Sequence, residues 1–261
     1  MCAALFFMAP GRGFADSSDV RAVTSPLDQL MAAQDRPTLT IAVPPASPPY
    51  VMTDPQGGIV VDTLRALARQ AGFEPRLRHA PLRRLPALLA SGKADAVLSY
   101  QANGARPTVT RPVTFWHNGI VMLSERGGSD GPVDLSGMTV GHFPDFRAFL
   151  GLDADFLSEA AHLVSLDRSE QALDMLLRGR IDAYVGDYWV LRYLRARAAT
   201  PPHGAALPEL RVIHMFEPTP HTLRVHSPAL RARLDAALAQ MEKSRRMAAI
   251  VERYMPGTVS R

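Results

Sequence analysis

From Thr38 onward the hydrophobic positions switch repeatedly between a period of two and a helical period. Thr38 to Val43 alternates and is rich in β-branched residues, which predicts a strand, and the proline-rich run Pro44 to Pro49 breaks it and ends in Tyr50. Ile59 to Ala71 then sets Val60, Leu64, Leu67, Ala68 and Ala71 on one helical face, with Gly72 placed to cap its end. Units of this β-loop-α kind continue to about Tyr193, which predicts α/β lobes with mostly parallel sheets.

One stretch is nearly repeated. Leu88 to Val97 reads LLASGKADAV, and Leu176 to Val185 reads LLRGRIDAYV. Each is a helix end, a glycine, a basic residue against the negative helix end, and then Asp-Ala entering an apolar strand. The distance between copies is too long for a solenoid repeat and fits two lobes of similar design, with one such junction in each. Asp95 and Asp182, placed at these junctions, are expected to serve there and not at a ligand.

Phe115 to Leu123 is apolar and strand-like, and the turn-rich Glu125 to Pro132 behind it suggests a lobe boundary. Later, Asp187 is placed to cap a helix carrying Val190, Leu191 and Leu194, and Pro201 to Gly204 marks a surface break. Leu210 to Phe216 and Thr222 to Val225 read as strands. Ser227-Pro228 opens a C-terminal helix whose inner stripes are Leu230, Leu234, Ala237, Leu238, Met241, Ile250 and Tyr254. Connections near Ser124 and Glu217 suggest that the chain leaves the first lobe and returns to it. The expected division is 37–121 plus 218–261 for lobe 1 and 122–217 for lobe 2.

The length of 261 residues is comfortable for two lobes, and 47% apolar with 21% charged residues is an ordinary globular mixture. The net charge of +4 comes from basic residues in ones and twos, such as Arg83-Arg84 and Arg245-Arg246, so no nucleic-acid footprint is expected. The apolar stretch Cys2 to Ala9 is too short to cross a bilayer. With Gly13-Phe14-Ala15 after it, residues 1–15 read as an export signal whose charged start is missing, and 16–36 as an N-terminal tail. Either the start codon lies upstream or the signal is degenerate. Cleavage after Ala15 would leave no cysteine, which suits an oxidising compartment.

These elements together resemble bacterial extracellular solute-binding proteins of the polar-amino-acid type, the receptors of ABC importers. The resemblance runs from about Leu39 to Met255. It rests on Pro48-Pro49-Tyr50 after the first strand, Gly57 to Leu67, the LLASGKADAV junction, Arg106, and Arg111-Pro112-Val113. Asp134 to Gly141, Gly179 to Ala183 with Asp187, and the helix opening at Pro228 complete the order. The family implies a type II periplasmic-binding-protein clamp: two lobes joined by two crossover strands, closing on a small solute between them. It further implies a periplasmic location, transient docking to a membrane ABC permease and a monomeric state, with no cofactor and no metal.

In the family, an arginine in the position of Arg106 forks a ligand carboxylate, a geometry suited to a guanidinium. Asp187 corresponds to the acceptor for an α-ammonium and is equally placed as a plain N-cap, and both roles are compatible. Tyr50 is either an aromatic wall for the ligand or a packing residue, and Ser99 and Gln101 either bond the ligand or cap a turn. This chain departs from the family at Asn103, where a threonine is usual, and at His142-Phe143-Pro144-Asp145, where Pro144 has no N–H to give. Phe143 and Asp145, if they face the cleft, favour an aromatic or cationic ligand such as an amine.

Catalysis on the same clamp, as in dehydratases of cyclic prephenate-like (cyclohexadienyl) acids, is the alternative. His117, His142 and Asp145 are its candidate acids and bases. His203, His214, His221 and His226 lack the spacing of a zinc set and read as surface and strand-edge residues. The sensor lobe of a receptor kinase or chemoreceptor would require a membrane helix downstream, and none follows before Arg261. Trp116, beside Phe115 near the first crossover, is either core or a reporter of closure.

Overall fold

The computed structural model describes residues 36–53, 56–99, 108–126, 134–150, 157, 162–198 and 206–258. Residues 1–35, where the export signal and nearly all of the tail are expected, and Gln101, Asn103, Arg106, the turn-rich run from 127 to 132 and the break at 201–204 lie outside these residues. Strands are β1 (Thr38–Val43), β2 (Met52–Thr53), β3 (Gln56–Gly57), β4 (Glu74–His79), β5 (Ala96–Ser99), β6 (Thr114–Trp116) and β7 (Asn118–Leu123). The later ones are β8 (Thr139–His142), β9 (His162–Ser165), β10 (Ala183–Asp187), β11 (Leu210–Met215) and β12 (Thr219–Val225). The helices are α1 (Ile59–Gln70), α2 (Leu85–Ala90), α3 (Phe146–Leu150), α4 (Ser169–Leu177), α5 (Tyr188–Arg197), α6 (Pro228–Lys243) and α7 (Arg246–Tyr254).

One sheet has the order β4-β1-β5-β12-β6 and the other β9-β8-β10-β7-β11. In each, four strands run one way and a single strand, β12 or β7, is reversed. The mostly parallel α/β architecture expected from the alternation of periods is therefore present in both lobes. The reversed strands are those by which the chain enters a new sheet. β6 passes into β7 through the single residue His117, and β11 passes into β12 through 216–218. The two crossings lie side by side: Trp116 pairs with Thr219, Gly119 with Met215, and the Phe216 N–H donates to the Asn118 carbonyl at 3.0 Å between them.

Two expectations need correction. The change of sheet falls at His117, not after Val121 or in the turn-rich linker, because all of β7 is buried and paired with β10 and β11. The single C-terminal helix is two helices, because Arg245 takes a left-handed φ of 55° and turns the chain, so that Ile250 and Tyr254 still pack onto the first lobe.

The repeated junction closes identically in both lobes. The Gly92 N–H donates to Leu89 O and the Lys93 N–H to Leu88 O, and Gly179 and Arg180 do the same to Leu176 O and Met175 O. This is the paired bonding of a Schellman end. Each following aspartate is bonded to the neighbouring strand: Asp95 accepts from the Thr40 N–H at 2.7 Å, and Asp182 from the Thr139 N–H at 2.9 Å.

α1 buries Ile59, Val60, Leu64, Leu67 and Ala68 in the first lobe, with α6 and α7 packed beside it. Its N-terminus is tied to the proline-rich loop, since the Ile59 and Val60 N–H groups donate to Pro49 O and Tyr50 O, both at 2.9 Å. Gly58 makes that contact feasible: φ is 112° and ψ 163°, and a Cβ there would stand 2.4 Å from Tyr50 O. Such a backbone costs a side-chain-bearing residue about 1–3 kcal/mol before the clash is counted. Gly58→Ala is therefore expected to lower the melting temperature by several degrees and to displace Tyr50. Calorimetry and the near-ultraviolet aromatic signal check this, and an unchanged melting temperature contradicts it.

Candidate functional site

The proline-rich loop aims Tyr50 of the first lobe at the start of α5 in the second. Tyr50 is only 1% exposed. Its hydroxyl donates to Asp187 Oδ2 at 2.7 Å and lies 3.3 Å from His117 Nδ1. The same Oδ2 accepts the His117 N–H at 2.8 Å, while Oδ1 accepts the Trp189 and Val190 N–H groups at 2.9 and 3.0 Å. Asp187 thus caps α5, holds the crossover at His117 and reaches the opposite lobe with one carboxylate. The His117 ring stacks on Trp189 with centroids 3.7 Å apart, and the Tyr50 ring lies nearly parallel to Trp189 at 6.4 Å.

Beside this cluster lies a cavity of about 130 Å³ to which both lobes contribute. Ser47 and Trp116 come from the first lobe, and Asn118, Phe143, Ser169, Tyr184, Asp187 and Val190 from the second. The Tyr184 ring can lie along β10 because Gly186 has no side chain; a Cβ there would meet the ring at 2.3 Å. Its hydroxyl is hydrogen-bonded to Ser169. A larger groove of about 520 Å³ runs between α1 and α7, edged by Arg65, Arg69, Arg246 and Arg253 around Asp62. It belongs to one lobe alone, so the smaller cavity is the one a clamp would close on.

Of the expected site residues, Tyr50 and Asp187 are brought into direct contact and Phe143 lines the cavity. Ser99 ends β5 opposite Thr222 and is not among the cavity-lining residues. Asp145 is exposed, on a left-handed turn with φ 57°, and does not line the cavity either. His142 turns its Nδ1 to the Phe143 carbonyl at 2.9 Å and packs its ring on Phe146. The expectation that the late histidines are surface or strand-edge residues fails for His221, which is wholly buried on the interior strand β12, edge-on to Trp116 at 4.6 Å. Ser47, Asn118, Ser169 and Tyr184 were not anticipated as cavity-lining residues. Asn118, polar within the apolar run Phe115 to Leu123, was their one visible sign. Among the described residues no cluster of three or more His, Cys, Asp or Glu is placed to hold a metal ion, and no helix is long and apolar enough to cross a membrane.

Burial governs the titration of this cluster. It pushes the Asp187 carboxyl up to about 6, against the pull of the Tyr50, His117, Val190 and Trp189 donors. It pushes His117 down to about 4, and His221 down to about 3 with help from His117. Unfolding returns each ring to 6.5, so below that pH the unfolded chain binds more protons and the fold loses stability on acidification. Asp187 opposes this only between its ordinary 3.8 and about 6. The expected outcome is a net loss of stability from pH 6.5 to pH 4, and His221→Leu should flatten that limb by about 1.4 kcal/mol per pH unit. Urea unfolding at a series of pH values reads the slope directly, and an unaltered slope in the variant contradicts a neutral buried ring.

Similar architectures occur among solved structures. An ancestral arginine-binding protein bound to arginine is 20% identical, covering 84% of this chain and 99% of that one, with a TM-score of 0.61. The periplasmic VFT2 domain of BvgS from Bordetella pertussis is 24% identical over 87% of this chain and 97% of that one, with a TM-score of 0.59. The GluR0 ligand-binding core from Nostoc punctiforme, in complex with L-glutamate, is 17% identical over 83% and 99%, with a TM-score of 0.59. At these identities the likeness is one of fold. No curated protein matches the chain. Residues 39–257 match the sequence profile of bacterial extracellular solute-binding proteins, family 3, and with that match covering most of its length the chain belongs to this family of ligand-binding receptors.

Proposed function

We propose that the protein is a periplasmic receptor that captures a small polar solute between its lobes and delivers it, as a monomer, to a membrane ABC importer. The observation that carries this reading is the cavity of about 130 Å³ beside the two crossings, to which both lobes contribute uncharged hydrogen-bonding groups and aromatic walls. A pocket built from two bodies joined by two short strands is one whose shape depends on their closure. The apolar stretch Cys2 to Ala9 with Gly13-Phe14-Ala15 after it supports export.

Binding is favoured over same-fold catalysis by the state of the candidate acids. His117 is stacked on Trp189 and does not line the cavity, Asp145 is exposed and does not line it either, and His142 is turned to a backbone carbonyl. A group that moves a proton needs reach to a substrate.

A thermal-shift screen of the purified protein against amino acids, amines, small acids and amides tests the proposal. A solute bound only by the folded state raises the melting temperature saturably, by the equivalent of about 2.7 kcal/mol at a hundredfold excess over Kd. The expected result is such a shift with the solute recovered unchanged; consumption of the solute would favour catalysis instead.

A further inference from the structure

A carboxylate that receives a ligand's ammonium needs a vacant acceptor position. Asp187 has two oxygens and about four lone-pair sites. Four donors already occupy them: the Trp189 and Val190 N–H groups on Oδ1, and the His117 N–H and Tyr50 hydroxyl on Oδ2. The first two belong to the opening turn of α5, and the third to the residue between β6 and β7. None of the three can withdraw without local unfolding. Only Tyr50 comes from the opposite lobe.

Tyr50 is not free to swing aside. Its carbonyl accepts the Val60 N–H at the start of α1, and its N–H donates to Ser47 O at 2.9 Å. Trp189, Val190 and Tyr193 of the second lobe share one apolar cluster with Tyr50 and Val51. The Tyr193 hydroxyl also reaches Met52 Sδ at 3.2 Å. Moving Tyr50 out would expose this apolar contact as well as break the hydrogen bond.

We propose that the Tyr50 hydroxyl is a built-in substitute for a ligand's ammonium, so that the cleft selects small solutes lacking an ammonium group. This deepens the receptor function proposed above and rests on it. The cavity agrees with the selection. Its hydrogen-bonding side chains besides Asp187 are Ser47, Asn118, Ser169 and Tyr184, and its apolar walls are Trp116 and Phe143. At about 130 Å³ it is close to the roughly 150 Å³ that accommodates a benzene ring. It therefore suits a compact solute with an uncharged head and an apolar body. An ammonium entering there would lose its water and, among the described residues, find no vacant carboxylate position in return.

The test uses pairs that share a carbon skeleton with and without the ammonium: valine against 2-hydroxyisovalerate and isovaleramide, and phenylalanine against phenyllactate and 3-phenylpropanamide. Titration calorimetry is run on the full protein and on Tyr50→Phe. At least one ammonium-free member is expected to bind the native protein at least tenfold more tightly than its amino partner. Tyr50→Phe, which vacates one position on Oδ2, is expected to shrink that ratio. An amino acid bound as well as or better than its counterpart overturns the selection while leaving the receptor function intact. Binding of no member of any pair counts against the receptor function itself, and the selection falls with it.

A ligand-free measurement separates these outcomes from loss of the cross-lobe bond. Melting temperatures of Tyr50→Phe, Asp187→Asn and the double variant are expected to be non-additive, because both single changes remove the same contact. Additive effects overturn the proposal, since the hydroxyl then does not depend on Asp187.

Discussion

A carboxylate taken out of water must be supplied with donors, and much of the centre of this protein is arranged around supplying them to Asp187. The strand that delivers it, the helix that it caps and the crossover residue whose amide it holds are all fixed by the same two oxygens. The fourth donor, the Tyr50 hydroxyl, crosses between lobes. Local helix capping and the relation of one lobe to the other therefore share a single group. Burial alone would favour the neutral acid; the four donors are what make a charged one tolerable.

That arrangement was only half legible in the sequence. Asp187 reads as a helix cap because the apolar residues behind it have helical spacing, and capping is a local event. Its bond to Tyr50 joins residues 137 positions apart and leaves no mark in any window of the chain. The same division runs through the fold. The LLASGKADAV and LLRGRIDAYV junctions could be read in detail, because glycine, the basic residue and aspartate each act within a few positions. The change of sheet at His117 could not, because Thr114 to Leu123 is uniformly strand-like and only its partners differ from one end to the other. Arg245 hides the break between α6 and α7 for a related reason, as an arginine in a left-handed conformation carries no compositional signal.

Histidine chemistry illustrates the limit from the other side. A histidine late in a chain with polar neighbours is ordinarily a surface residue. His221 is instead interior because β12 enters the first sheet between β5 and β6, where both faces are covered. Trp116 on the neighbouring strand then becomes its contact, and the same tryptophan forms one wall of the cavity. Core and cleft thus meet at one indole.

The strand orders carry a consequence for the order of assembly. Every strand of the second sheet lies between residues 118 and 215, so that lobe is encoded without interruption. The first sheet places β12, which begins at Thr219, between β5 and β6, and its helical cover α6 and α7 comes later still. A chain emerging from its N-terminus can complete the second lobe while the first still has a gap in the middle of its sheet. The lobe begun first is thus finished last, and its stability is withheld until nearly the whole polypeptide has been made.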